Sequence, residues 1–176
     1  MAALHLAPVF EKENGQNITK LKLDGNNFTT KAGEYIGNAL CANPSYKLKK
    51  ISFSGISLES IGLTRVVEAC NGNENIKRLN IGVLTDEGLE RLAQLLAQNE
   101  SLEEIEIQET KDHQKLWTDR GRNAFTEMLR MGTGLKKVGL AFTKDEDKES
   151  DKAFKAEIKF YTKMKSKAKQ EQDTYR

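Results

Sequence analysis

One six-residue phrase recurs along this chain: apolar, two polar, apolar, one polar, apolar. It is clearest in Ile76-Lys77-Arg78-Leu79-Asn80-Ile81. It returns at Ile18/Leu21/Leu23, Leu48/Ile51/Phe53, Leu102/Ile105/Ile107 and Leu135/Val138/Leu140. The central apolar residues, Leu21, Ile51, Leu79, Ile105 and Val138, stand 30, 28, 26 and 33 residues apart. Alternation within the phrase is strand spacing. A unit that returns every 20 to 50 residues or so marks a solenoid, in which each repeat buries its apolar face against its neighbours.

Between the phrases the period changes to that of a helix. Residues 29–42 carry Ala32, Ile36, Ala39 and Leu40; residues 57–70 carry Ile61, Leu63, Val66, Val67 and Cys70. Residues 85–98 carry Leu89, Leu92, Leu95 and Leu96; residues 118–131 carry Ala124, Phe125, Met128 and Leu129. Apolar residues three or four apart give each segment one buried face. Thr29, Ser57, Thr85 and Thr118 are the expected N-caps, with Asp86, Glu87 and Asp119 in first turns where acids suit the helix dipole. Asn43-Pro44, Asn71-Gly72, Asn99 and Gly132-Thr133-Gly134 turn the chain towards the next strand.

A strand phrase plus a full helix every 28 residues or so resembles the leucine-rich repeat of the ribonuclease-inhibitor type. That resemblance implies a right-handed α/β solenoid of about five repeats, with parallel strands inside and helices outside. Residues 1–17 read as an N-terminal cap built on Leu6, Val9 and Phe10, residues 18–143 as the repeats, and residues 144–176 as a C-terminal capping helix and basic tail. The capping stripe is expected at Phe154, Ile158, Tyr161 and Met164, with fraying beyond. Leu21-x-Leu23-x-x-Asn26-x-Phe28 has the asparagine usual after such a strand. Ile56, Leu84 and Thr110 stand at the equivalent places, so those turns need other partners.

Five such repeats and one closing amphipathic helix resemble the C-terminal half of tropomodulins and leiomodins. The last unit, Gly134-Leu-Lys-Lys-Val-Gly139-Leu-Ala-Phe142, is similar to that family's closing strand, and the long connection over residues 108–119 falls where the family has an enlarged loop. The resemblance implies actin binding at the slow-growing filament end, with the final helix contributing to the contact surface. It covers nearly the whole chain, from about Ile18 to the C-terminal helix.

Composition narrows the rest. The chain has 176 residues, 38% hydrophobic and 31% charged, which suits one domain with a polar surface. A net charge of +2 does not by itself point to nucleic acid. No run of 18 apolar residues occurs, so no helical membrane span is expected. Met1 to Pro8 lacks the layout of a secretory signal. Two cysteines, Cys41 and Cys70, make no disulfide framework and read as small buried hydrophobes, so the expected location is the cytoplasm; the tropomodulin resemblance implies the cytoskeleton. No P-loop, Gly-x-Ser-x-Gly, HExxH or cysteine cluster is present, so the expectation is no enzyme, no cofactor, no metal and no small-molecule substrate.

Three surfaces are candidates for a protein partner. The concave strand face stacks Lys20 and Lys22, Lys49 and Lys50, and Lys77, Arg78 and Asn80, followed by an acidic break at Glu103-Glu104 and a basic end at Lys136-Lys137. This is either a docking stripe for an acidic partner or a solvated face. In the long loop, His113, Leu116 and Trp117 are either an interface anchor or packing over the adjoining helix. In the tail, Lys159, Lys163, Lys165 and Lys167 are either a basic docking helix or the outside of a cap. The functional readings follow in order: a tropomodulin-like module that binds actin or another cytoskeletal protein; a scaffold subunit that docks an acidic partner on the concave stripe; and a small-GTPase regulator, which fits least because such arrays are longer and end in acidic tails.

Overall fold

A computed structural model of the chain describes residues 17–26, 30–42, 47–54, 56, 58, 60–82, 84–108, 117–141 and 148–174. Strands β1 (Lys20–Lys22), β2 (Lys50–Ser52), β3 (Arg78–Ile81), β4 (Glu104–Gln108) and β5 (Lys137–Ala141) form one parallel sheet in sequence order. Between them run helices α1 (Thr30–Ala42), α2 (Ser60–Gly72), α3 (Asp86–Ala97) and α4 (Asp119–Met131). A longer helix, α5 (Lys148–Thr174), closes the stack. The register pairs Leu21 with Ile51, Ile51 with Leu79, Leu79 with Ile105 and Ile105 with Val138. The five recurring phrases are therefore five rungs of one α/β solenoid.

The core lies between the sheet and the helix layer. Ile51, Phe53, Leu79 and Ile81 of the rungs meet Ile36, Leu40, Leu63, Val66, Leu89, Leu92 and Phe125 of the helices, all essentially without solvent contact. A parallel sheet needs cover, and the helix of each unit supplies it. Thr85 and Thr118 cap α3 and α4 as expected, accepting from the backbone N–H of Gly88 and of Arg120. The expected caps Thr29 and Ser57, the N-terminal cap residues Leu6, Val9 and Phe10, the Asn43-Pro44 exit, Thr110 and Phe142 lie outside the described residues.

Three expectations are corrected. Helix α2 begins at Ser60, and Ile61 stands 62% exposed instead of joining the buried face. Gly62 takes that place, lying against Gly33 of α1: a methyl built on either residue would fall 3.0 to 3.2 Å from the other's Cα. Two helices that touch through glycine leave no room for a side chain at the crossing, so Ile61 turns outward. Cys41 is exposed at the end of α1, its Sγ 3.9 Å from the Arg65 carbonyl; only Cys70 is a buried hydrophobe, and burial pushes its thiol well above the ordinary value. Met164 is 55% exposed and does not extend the capping stripe, although α5 continues as helix to Thr174.

Polar links join successive helices. Arg91 Nε donates to Thr64 Oγ1 at 3.1 Å, and Arg120 forms a forked pair with Glu90 at 2.5 and 2.8 Å. Asp86 accepts from the backbone N–H of Thr118 and of Gly121 and from the Thr118 hydroxyl, so a first-turn acid of α3 also caps α4. Partial burial acts to raise the Asp86 carboxyl, but these hydrogen bonds and Arg120 outweigh it and hold the group below its ordinary value of 3.8. A depressed carboxyl stabilises the fold in full above the unfolded value and loses that effect as pH falls through the folded one. Asp86→Asn should therefore lower stability at neutral pH by about 1 kcal/mol. Chemical-denaturation curves of the two proteins should converge below about pH 4; a deficit that persisted unchanged at pH 2 would contradict this assignment.

The asparagines missing from the strand-to-helix turns reappear on the opposite side. Asn99 donates from Nδ2 to Asn71 Oδ1 and accepts from the Leu102 N–H at 2.7 Å, and Ser101 Oγ donates to the Cys70 carbonyl at 2.7 Å. The helix-to-strand turns thus carry a polar ladder of their own. At the first strand exit, Asp24 Oδ1 accepts from the Ser52 hydroxyl and the Ser54 N–H.

Helix α5 closes the open end of the core. Phe154 and Ile158 are buried, with the Phe154 ring edge-on to Trp117 at 6.4 Å and to Phe125 at 6.3 Å. Arg130 of α4 holds the adjoining flank: it donates to Tyr161 Oη at 2.9 Å and to Glu157 Oε1 at 2.5 Å, with its guanidinium 5.8 Å from the Tyr161 ring centre. These two contacts raise the Arg130 pKa. A solenoid end exposes the apolar face of its last unit, and this helix covers it.

Candidate protein-binding surface

On each rung the residues beside the central apolar one point away from the core. The register stacks Lys20, Lys50, Arg78, Glu104 and Lys137 in one column, and Lys22, Ser52, Asn80, Glu106 and Gly139 in the next. A third row holds Lys49, Lys77, Glu103 and Lys136, joined by backbone hydrogen bonds. The concave columns read from the sequence therefore exist as rows of neighbours.

Their charges are partly cancelled within the face. Glu104 pairs with Arg78 at 3.2 Å, Glu103 pairs with Lys136 at 2.7 Å, and Glu106 accepts from Asn80 Nδ2 at 2.8 Å. The acidic fourth rung thus satisfies groups on both sides of it, and Asn80, only 8% exposed, is a structural member of the face. Lys22 leans towards Asp24 at 3.8 Å. Lys20, Lys49, Lys50, Lys77 and Lys137 have no ion pair among the described residues. The positive field is concentrated on the first three rungs and at the last.

Of the loop residues, His113 and Leu116 lie outside the described residues. Trp117 is not an exposed anchor: it is 8% exposed, and its Nε1 donates to the Leu84 carbonyl at 2.5 Å. Its ring joins Phe125 and Phe154 in the closure beneath α5. Fixing a buried indole N–H on a backbone acceptor is the ordinary requirement for a core tryptophan.

In the tail, Lys159, Lys163 and Lys167 are exposed on α5; the side chain of Lys165 lies outside those described. Phe160 and Met164, one turn apart, are both more than half exposed beside that lysine row. Helix α5 thus has two apolar faces, one spent on the core and one open. The sequence hides the second, because Met164 fits the spacing of the first. The fold also brings Lys159 to the strand end of the concave face, beside Lys137, with Lys155 a turn away. Among the described residues no group of three or more metal-ligating side chains occurs, and no helix is long and apolar enough to cross a membrane.

No family model matches the chain, and no curated protein matches it in sequence. Solved structures do match. The leiomodin-1 actin-binding site 2 domain superposes with a TM-score of 0.69 at 16% identity, over 99% of this chain and 95% of that one. The tropomodulin C-terminal domain of Caenorhabditis elegans gives 0.67 at 14% identity, over 97% and 98%. At these identities the likeness is one of fold: a leucine-rich-repeat α/β solenoid with a closing helix, as the sequence resemblance implied.

Proposed function

We propose that this chain is a non-enzymatic, tropomodulin-like protein-binding module that engages actin or an actin-like cytoskeletal partner through α5 and the adjoining repeat surface. One observation carries the reading. The likeness runs over nearly the full length of both neighbours, and one of them is described as an actin-binding site. The open face of α5 agrees with it, because Phe160 and Met164 flanked by lysines give an apolar centre with a charged rim, the ordinary build of an interface.

Co-sedimentation with actin filaments, together with slow-end elongation rates on filaments blocked at the fast-growing end, tests the proposal. The chain should pellet with filaments and change the elongation rate, and Phe160→Ser/Met164→Ser should weaken the effect about tenfold or more. No pelleting and an unchanged rate would reject the actin reading.

A second reading is favoured by the concave lysines. Lys49, Lys50 and Lys77, without ion pairs among the described residues, suit a scaffold subunit that docks an acidic partner inside the curve. Reversing Lys49 and Lys50 to glutamate should then abolish capture of that partner and leave filament binding unchanged.

A further inference from the structure

Between β5 and the stretch of α5 from Lys155 to Thr162 lies an open cleft of about 370 Å³. Lys136 and Lys137 stand on the strand side and Lys155 and Lys159 on the helix side. Val138, Leu140 and Ile158 contribute the apolar part of the lining, and among the described residues no carboxylate lines it. Lys155 and Lys159 are four residues apart on one helix and therefore adjacent, a like-charge spacing that opposes helix stability. Lys136 and Lys137 are consecutive, and only Lys136 has a carboxylate partner on the sheet, Glu103. Lys137 and Lys159 have no ion pair among the described residues. The Thr162 hydroxyl is already committed to the carbonyls of Ile158 and Lys159. Lys137 and Lys159 beside an apolar lining, with Lys136 and Lys155 adding positive charge nearby, form a receptor for something both acidic and apolar.

We propose that this β5–α5 cleft docks an acidic segment of a partner protein, whose carboxylates meet Lys137 and Lys159 while an apolar side chain of the segment rests on Val138, Leu140 and Ile158. Charge complementarity selects the acid, and the apolar lining selects a peptide over inorganic phosphate. Single-stranded nucleic acid binds by stacking its bases on aromatic rings, and among the described residues none lines the cleft. A membrane is read by a helix face lying in its plane, not by a recess. The cleft shares Lys159 with the row beside Phe160 and Met164, but its test uses no actin, so its failure and that of the filament reading are distinguishable.

The test is fluorescence polarisation at low salt with a short fluorescein-labelled peptide of glutamates carrying two central leucines. The intact chain should bind it, more weakly as salt is raised. Lys137→Glu/Lys159→Glu should weaken binding about tenfold or more; Lys31→Glu, exposed on α1 in the helix layer, should leave it within about twofold. Exchanging the glutamates for glutamine, or the leucines for serine, should each remove most of the binding. Circular dichroism checks the fold, and Lys137→Gln/Lys159→Gln replaces the reversal if that variant unfolds. No binding by the intact chain would overturn the proposal, as would equal loss in the Lys31 variant. So would binding of inositol hexakisphosphate or of phosphatidylserine vesicles at the cleft without the peptide.

Discussion

Replacing Phe154 by alanine is expected to lower the unfolding free energy by about 3–5 kcal/mol, the usual loss for a buried phenylalanine. Phe154 is 4% exposed, and its ring meets both Trp117 and Phe125. Truncation removes those contacts and leaves a void that the surrounding rungs cannot fill, because parallel strands and their helices are fixed by the units behind them. The effect should extend beyond the helix. Trp117, the only tryptophan, lies beneath Phe154, so its emission should shift to the red in the variant before the global transition. Denaturant titration followed by fluorescence and by far-ultraviolet circular dichroism separates the two events. Unchanged stability and emission would show that α5 does not close the core.

Gly82→Ala is the second large effect, about 3 kcal/mol or more, with opposite physics: too much matter instead of too little. A methyl built at Gly82, just after β3, would lie 2.1 Å from the Ile56 carbonyl oxygen and 2.6 Å from its nitrogen. Both are backbone atoms of the preceding unit, so no rotamer change relieves the overlap. The rung must shift, and with it the register of Asn80 and Ile81 against β4. Thermal unfolding should show a midpoint many degrees lower; a midpoint within a degree or two of wild type would mean that the two turns are not in contact.

The rungs were legible because their signal is local. Six residues in a fixed order set the phase of each strand, and five copies set the register. Helix phase was less secure. In α2 the buried row includes Gly62, which carries no apolar signal, so the pattern took in its neighbour Ile61 instead. The reason is remote in sequence: Gly33 must meet Gly62 across the helix pair. The turn partners were not legible for the same reason. Asn99 and Asn71, or Asp86 and Thr118, are 28 and 32 residues apart, and nothing near either residue announces the other. Trp117 read as either anchor or packing, because burial depends on α5 arriving from more than thirty residues downstream. The candidate surface was half visible. The lysine columns follow from the strand phrase, but their neutralisation by Glu103 and Glu104, and the meeting of β5 with the lysines of α5, are products of the fold.

Both partner surfaces on α5 exist only if that helix is the last layer of the repeat stack. Native-state hydrogen exchange tests this most directly. A helix without partners is marginal in water and exchanges quickly. Docked as described, the amides of α5 from about Phe154 to Thr162 should be protected to the same degree as those of α4 and β5, and should open together with them. Exchange of α5 at the rate of a free helix, while α4 and β4 stay protected, would contradict the closed solenoid on which both surfaces depend.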